Sequence, residues 1–471
     1  MKRLVIFYTA AAFLTFGADW TRFRGPNGSG VAAGAKDLPS EFGPNLNVVW
    51  KIALPPGYSS PALADDRIFV TAYEKDALFT IAIDRKSGKT LWRKEAPKDH
   101  PVEKRRVNTP VSPSPVTDGE NVYVFFENFG LISYARDGAE RWRVPLGPFI
   151  NPYGVGSSPI LAEGKVLMLC DNDVDSFLVA VSAKDGKPTW KTSRTDVTHG
   201  FSTPILYQPK NGPLQAIVSG SYNVVSYSVE TGEKLWWVGG MAWQAKSLPV
   251  IEGDVLYIHS WMADMAGVGL PANIMSFEEA LKGDANHDGK LTSDELPYKE
   301  MQQLFFLFDL NHDGFIDREE WASMLARNAA QNGLYAIRLD GKRGDLTKTN
   351  VLWRYNKSLP NIPSPLIYRD VIYLLREGGI LTSLDPKTGN VIKQGRIKEA
   401  LDPYYASPIA ADGKIFIVSQ SGKLTVLKAA GEWEVLAVND LNEDCWATPA
   451  IEGRLMFVRT QGTLYCFGKQ S

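Results

Sequence analysis

Apolar and polar residues alternate along most of this chain in short runs separated by turns rich in Gly, Asp and Asn, the pattern of strands with one buried face. The stretch from Ala82 to Trp92, AIDRKSGKTLW, shows the unit: an alternating run, a turn ending in Gly88, and a second extended run closed by Trp. Versions of it stand at 180–190 (AVSAKDGKPTW), 226–236 (SYSVETGEKLW) and 383–389 (SLDPKTG). Each predicts two strands and their hairpin, with the glycine supplying the positive φ of the turn.

A second marker, a proline usually preceded by a small or hydroxyl residue, recurs at Pro61, Pro115, Pro159, Pro204, Pro249, Pro365, Pro408 and Pro449. The intervals are 54, 44, 45, 45, 116, 43 and 41 residues, and all but one suit a four-stranded propeller blade. The pattern therefore predicts an all-β fold, an eight-bladed β-propeller, with an insertion in blade five. Strands are expected at about 60–64, 67–72, 78–84 and 89–94 in blade one, and at 114–117, 121–126, 130–135 and 140–144 in blade two. The last unit, Trp446 to Phe467, supplies three strands, while Val48-Val49-Trp50 reads as a strand with no partners before it. The N-terminal strand is expected to complete the last blade and close the ring, which leaves no gap between its ends.

The division expected is 1–17 signal peptide, 18–47 irregular lead-in, 48–263 first part of the propeller, 264–332 insertion and 333–471 second part. In the lead-in, DWTRFRGPNGSG places Trp20, Phe23 and two arginines where they could cap the ring. The insertion replaces a loop between the second and third strands of its blade, so it belongs on the same rim as the loops leading into the blades.

That insertion carries the clearest chemistry. Residues 284–295 (DANHDGKLTSDE) and 309–320 (DLNHDGFIDREE) match the twelve-residue EF-hand loop at every ligand position. The first offers Asp284, Asn286, Asp288, the Lys290 carbonyl, Thr292 and Glu295; the second offers Asp309, Asn311, Asp313, the Phe315 carbonyl, Asp317 and Glu320. A hard dication takes six to eight oxygens, and these sets supply them, so Ca2+ is expected at two sites. Gly289 and Gly314 make the sharp turn, Leu291 and Ile316 suit a backbone bridge between the loops, and Ser276 with Glu279 forms a capping box. Phe277, Leu281, Leu304, Phe305, Phe308, Trp321 and Leu325 are the expected shared core. The loops begin 25 residues apart, which leaves little room for long helices between them and favours a structural clamp over a switch.

The 471 residues are 44% hydrophobic with a formal charge of −2, which gives no reason to expect nucleic acid or an anionic membrane as partner. Lys2 and Arg3 followed by the apolar run Leu4 to Phe16 read as a secretory signal, too short to span a bilayer comfortably, with cleavage expected after Gly17 or Ala18. No cysteine follows the run to take a lipid, so a periplasmic or extracellular location is expected. Cys170, Cys445 and Cys466 are expected to be buried thiols, the last two on the first and third strands of the final blade.

The eight units and the A-x-D-x-x-[ST]-G-x-x-x-W turn resemble the repeats of the pyrroloquinoline-quinone-type (quinoprotein alcohol dehydrogenase-like) propeller superfamily over nearly all of 48–467 outside the insertion. The resemblance implies the fold. It spans quinone-dependent dehydrogenases and an outer-membrane assembly lipoprotein that binds partners without a cofactor. The dehydrogenases carry adjacent cysteines beside the quinone; this chain has no such pair and no Cys-x-x-Cys-His haem motif, so pyrroloquinoline quinone is not expected.

The loops leading into the blades gather Tyr58, Arg105, Arg106, Asn108, Tyr153, His199, Trp243, Gln244, Lys246, Asn361, Tyr404, Tyr405 and Trp446 on one rim, a set able to bind a sugar, a peptide or a cofactor, or simply to pack the channel. Asp171-Asn172-Asp173-Val174-Asp175 reads as a polar turn or a further cation site. His199 has no paired nucleophile or orienting acid in the sequence, and no catalytic residue is assigned. The function expected is a calcium-binding propeller acting as a protein-interaction scaffold, with a protein or envelope partner at the rim. The alternatives are a quinone-dependent oxidoreductase or a carbohydrate-active enzyme at the channel mouth.

Overall fold

The computed structural model describes residues 20–98, 108–151, 153–262 and 273–469. The signal reading of 1–17 and the rim residues Arg105 and Arg106 lie outside the described residues.

Alternation sorts the strands into eight sheets, each built on four antiparallel strands that run in chain order in all but the last. Blade one is Ala62–Ala64, Arg67–Glu74, Ala77–Asp84 and Thr90–Glu95; blade two is Val116–Thr117, Asn121–Phe126, Gly130–Ala135 and Glu140–Pro145. The inner strands are buried on both faces and the outermost strands alternate exposed and half-buried residues, as in the pattern eeieie of Pro188–Ser193. In every blade the outer strand slips register against the third at one point, a bulge that adds twist to the outer edge. The ring closes as the chain ends imply: Val48–Ala53 pairs antiparallel with Thr463–Phe467 and becomes the outer strand of blade eight.

The repeated turn explains itself in three dimensions. Five outer-strand Trp residues reach across to the hairpin of the next blade: Trp50 Nε1 donates to the Arg85 carbonyl (3.0 Å), Trp92 to Arg136 (2.9 Å), Trp142 to Ala183 (3.1 Å), Trp190 to Val229 (3.0 Å) and Trp353 to Pro386 (3.1 Å), whereas Trp236 of blade four donates to Gln215 Oε1 of its own blade (2.9 Å). The turn glycine lies under that indole. At Gly186, φ is 73° and a Cβ would come within 2.9 Å of the Trp142 ring, so both the conformation and the close approach require glycine. Blades are thus latched by one aromatic and one hydrogen bond, besides apolar layers such as Phe125, Leu131, Met168 and Val179 between blades two and three.

Three details depart from expectation. Val31–Ala32 in the lead-in is not irregular: it adds a parallel edge to blade seven by pairing with Ala410 and Ala411. Gly344–Asp345 does the same for blade four, beside Trp236 and Trp237. Cys466 is on the third strand of blade eight, but Cys445 lies in the loop before Ala450–Glu452. All three thiols are free and buried.

Between Val255–Ser260 and Gly333–Arg338 of blade five stand the short helices Phe277–Ala280, Lys299–Gln303 and Arg318–Ala329. Ser276 and Glu279 form a reciprocal capping box at the first. Asp317 and Glu320 form another at the third. These helices share a small core of Phe277, Leu291, Met301, Phe308, Ile316, Trp321 and Met324, with Leu281, Leu304, Phe305 and Leu325 packed at its edge.

Candidate functional site

The residue before each marker proline lies just ahead of an innermost strand, and its side chain decides how the blades meet around the channel. Ser60 N–H donates to Ser114 Oγ, Ser114 to Ser158 and Ser158 to Thr203, at 2.9 to 3.0 Å. On the other side Leu248 N–H donates to Ser364 Oγ, Ser364 to Ser407, Ser407 to Thr448 and Thr448 back to Ser60, again at 2.9 to 3.0 Å. The ring is broken at blade five alone, where Leu248 stands in the hydroxyl position and packs toward Gly28 of the lead-in.

One end of the channel is filled by that lead-in. Arg22 donates to the Pro204 carbonyl, Arg24 to those of Pro365 (3.0 Å) and Pro408 (3.2 Å), and Asn27 exchanges two bonds with the Leu206 backbone. Burial, with no carboxylate partner among the described residues, lowers both guanidinium pKa values, each to about 9. Phe23, carried between them, forms part of the wall of a cavity of about 370 Å³ at the channel mouth.

Eight rim residues named from the sequence line that cavity: Tyr58, Asn108, Tyr153, Gln244, Lys246, Asn361, Tyr405 and Trp446. Trp446 is sandwiched between Tyr58 (centroids 4.6 Å apart, 10° between planes) and Tyr405 (4.1 Å). Lys246 Nζ donates to Asn361 Oδ1 at 2.6 Å and lies 5.9 Å from the Trp261 ring centre. Burial lowers its pKa to about 8, only partly opposed by Glu377.

The other rim residues do different work. Tyr404 is buried, its hydroxyl donating to the Ala400 carbonyl at 2.7 Å. Trp243 and His199 stand beside the cavity in an aromatic cluster with Tyr153 and Phe201. His199 Nδ1 pairs with Asp173 and its Nε2 lies 3.0 Å from Gln244 Nε2, so an orienting acid is present in space that was invisible in sequence. The acidic run at 171–175 does not pool its charges: Asp171 is buried in a two-pronged pair with Arg194 (2.7 and 3.0 Å), while Asp173 serves His199. Phe23, expected only as part of a cap, lines the cavity; sequence reasoning missed Phe201 and the hydroxyl ring, although the Ser-Pro and Thr-Pro markers were the visible signal for the last.

The paired loops sit back to back. Leu291 and Ile316 exchange backbone hydrogen bonds of 3.0 and 2.8 Å. His287 and Gly289, and His312 and Gly314, take positive φ and turn each loop tightly. Asp284 accepts from Gly289 N–H (2.9 Å) and Asp309 from Gly314 N–H (3.0 Å), as a first-position carboxylate folding its own loop would. Glu295 accepts from Ala285 and Thr292, and Glu320 from Leu310 and Asp317, tying the end of each loop to its beginning. Burial raises the Glu320 pKa. The donor set is all oxygen, which fits a hard cation. Among the described residues, however, no three His, Cys, Asp or Glu side chains converge as a metal cluster, and Lys290 Nζ holds Asp313 at 3.0 Å across the loops.

An EF-hand family model matches residues 301–325. A second family model, described as outer membrane protein assembly factor BamB, matches 47–149, 80–260 and 323–471, well over half the chain. A protein of Shewanella oneidensis with that same description is 23% identical over 271 residues, 53% of this chain and 66% of the relative, just under two thirds of its length. The crystal structure of BamB from Moraxella catarrhalis superposes with a TM-score of 0.56 at 11% identity, covering 90% of this chain and 99% of that one. Quinohemoprotein alcohol dehydrogenase from Comamonas testosteroni superposes with a TM-score of 0.63 at 12% identity, covering 98% and 82%. At such identities the likeness establishes a shared fold and carries no activity across. Among the described residues no helix is long and apolar enough to cross a membrane. Eight blades, the recurring turn and the extent of the family match lead to one assignment: this chain belongs to the PQQ-type propeller repeat family whose model is described as outer membrane protein assembly factor BamB.

Proposed function

We propose that this chain is a secreted or periplasmic calcium-binding propeller that serves as a protein-interaction scaffold, its residues 1–17 acting as a removable leader and 264–332 as an inserted paired EF-hand module. The observation that carries the calcium reading is the bridge between Leu291 and Ile316, which couples two loops of matching oxygen donors. Asp284, Asn286, Asp288, Thr292, Glu295 and the Lys290 carbonyl would hold one ion; Asp309, Asn311, Asp313, Asp317, Glu320 and the Phe315 carbonyl the other. Calcium supplies charge neutralisation there and ties each helix start to its loop. Loop two, with four carboxylates against three, is the tighter site. The scaffold reading is supported by the family description, and on this reading the partner binds the rim of loops leading into the blades.

The test is a calorimetric calcium titration of chelator-stripped mature protein beside a Glu295→Gln, Glu320→Gln double variant. Two sites in the wild type and none in the variant are expected. Absence of binding by the wild type overturns the calcium reading. For the scaffold, immobilised protein should retain a stoichiometric protein partner from envelope extract, and loss of that partner on substituting Tyr405 and Trp446 would locate it; retention of none overturns the assignment.

A further inference from the structure

Calcium binding does not use the chemistry of the channel cavity, and the scaffold reading calls only on two of its aromatic residues, Tyr405 and Trp446. Six ring hydroxyls line it, Ser60, Ser114, Ser158, Ser364, Ser407 and Thr448, each no more than 4% exposed. Each oxygen accepts the N–H of a neighbouring blade, and among the described residues none gives its own proton to a protein acceptor. Six O–H groups therefore face one space without protein acceptors, a costly arrangement for buried polar groups unless something else accepts from them.

Charge points the same way. Lys246 is the one cation among the described lining residues, and none of them is Asp or Glu. One of its N–H groups goes to Asn361, and Glu377, the carboxylate acting on it, is itself engaged by the Asn361 N–H at 3.2 Å. His259 lies close enough to feel the same charge and is buried neutral. The walls are aromatic: the Tyr58, Trp446 and Tyr405 stack, Phe23, and Tyr153 edge-on to Phe201 at 6.1 Å. A guest matching this surface brings many acceptor oxygens, one negative charge and flat C–H faces, in a volume at the small end of ligand pockets.

We propose that the channel mouth is a binding site for a sugar acid, a pyranose bearing a carboxylate, with the carboxylate on Lys246, ring oxygens on the Ser/Thr hydroxyls and a sugar face on the aromatic wall. The site is independent of the calcium loops. Its guest is either a free hexuronate or the end residue of an acidic oligosaccharide.

The test is calorimetry of the mature protein with D-glucuronate, a glucuronate-terminated oligosaccharide, D-glucose, acetate and pyrroloquinoline quinone. Binding of the free acid, or of the oligosaccharide alone, supports the proposal and tells the two sources apart. Glucose is expected to bind at least tenfold more weakly, and Lys246→Met to weaken glucuronate at least tenfold. Tyr405→Ala, a change in the half-buried aromatic wall that leaves the lysine in place, is expected to weaken glucose and glucuronate alike. At pH 8 the wild type should take up protons on binding, because a bound carboxylate raises the lysine pKa, and Lys246→Met should not. Equal binding of glucose and glucuronate, no binding of either acid, or binding of the quinone alone overturns the proposal.

Discussion

The Arg327 guanidinium lies 5.6 Å from the centre of the Trp243 ring and 5.9 Å from that of Phe308. It joins the last helix of the insertion to the loop that carries Gln244 and Lys246 into the channel cavity. Glu320, Ser323 and Met324 of the same helix meet Thr198, Tyr222 and Trp243 in that seam. The insertion is therefore seated on the rim by contacts that belong to neither repeat nor loop motif. Cation–π pairs at half-buried sites are worth about 0.5–2 kcal/mol. Arg327→Ala should speed proteolysis within 273–332 severalfold while leaving the melting of the propeller unmoved; equal sensitivity in both would show that the seam does not hold the insertion.

The Trp and Gly latch between blades predicts an unusual cost for a small change. Gly186→Ala adds one methyl at φ 73° and 2.9 Å from the Trp142 ring. The left-handed conformation alone costs about 1–2 kcal/mol for an L-residue, and displacing the indole adds to it. Chemical denaturation should show roughly 2 kcal/mol lost. Gly164→Ala, with open space around it, should lose only the conformational part.

His259 makes stability depend on acid. Burial, and secondarily the charge of Lys246, lowers its pKa to about 3 from an ordinary 6.5, and its Nε2 has no protein partner. Between those values the unfolded chain binds a proton that the folded chain refuses, so stability falls as pH drops from about 6.5 toward 3 and is complete above that window. The loss is on the order of a few kcal/mol. His259→Phe should flatten this limb of the pH profile relative to wild type, and an unchanged slope would assign the acid sensitivity elsewhere.

Lys290 competes for Asp313. Its Nζ lies 3.0 Å from a carboxylate assigned to loop two, with both side chains well exposed, so the pair is worth at most about 1 kcal/mol. Lys290→Met keeps the carbonyl assigned to loop one and frees Asp313. Calcium affinity at loop two should rise by up to about fivefold, with the gain shrinking at high salt. A drop in affinity would mean that the lysine organises the site.

Much of the architecture is local and was therefore legible. Alternation of period two marks a strand wherever one face is buried, the Gly-then-Trp turn repeats because every blade meets its neighbour in the same way, and the missing strand at one end matched the orphan at Val48. The two EF-hand-type loops are equally local, since the motif lies in twelve consecutive residues and the match at 301–325 follows from it. What the sequence could not express is what distant segments do together. The hydroxyl ring closes from Thr448 to Ser60 across 388 positions, and only the circular fold makes it a floor. The edge strand Val31–Ala32 depends on blade seven, almost four hundred residues away, and the pairing of Asp173 with His199 depends on two loops that converge. The low pKa of Lys246 arises from burial in a cavity whose walls come from most of the ring. Strand and loop identity follow from neighbours in sequence, whereas burial, charge isolation and convergent donors exist only once the ring has closed.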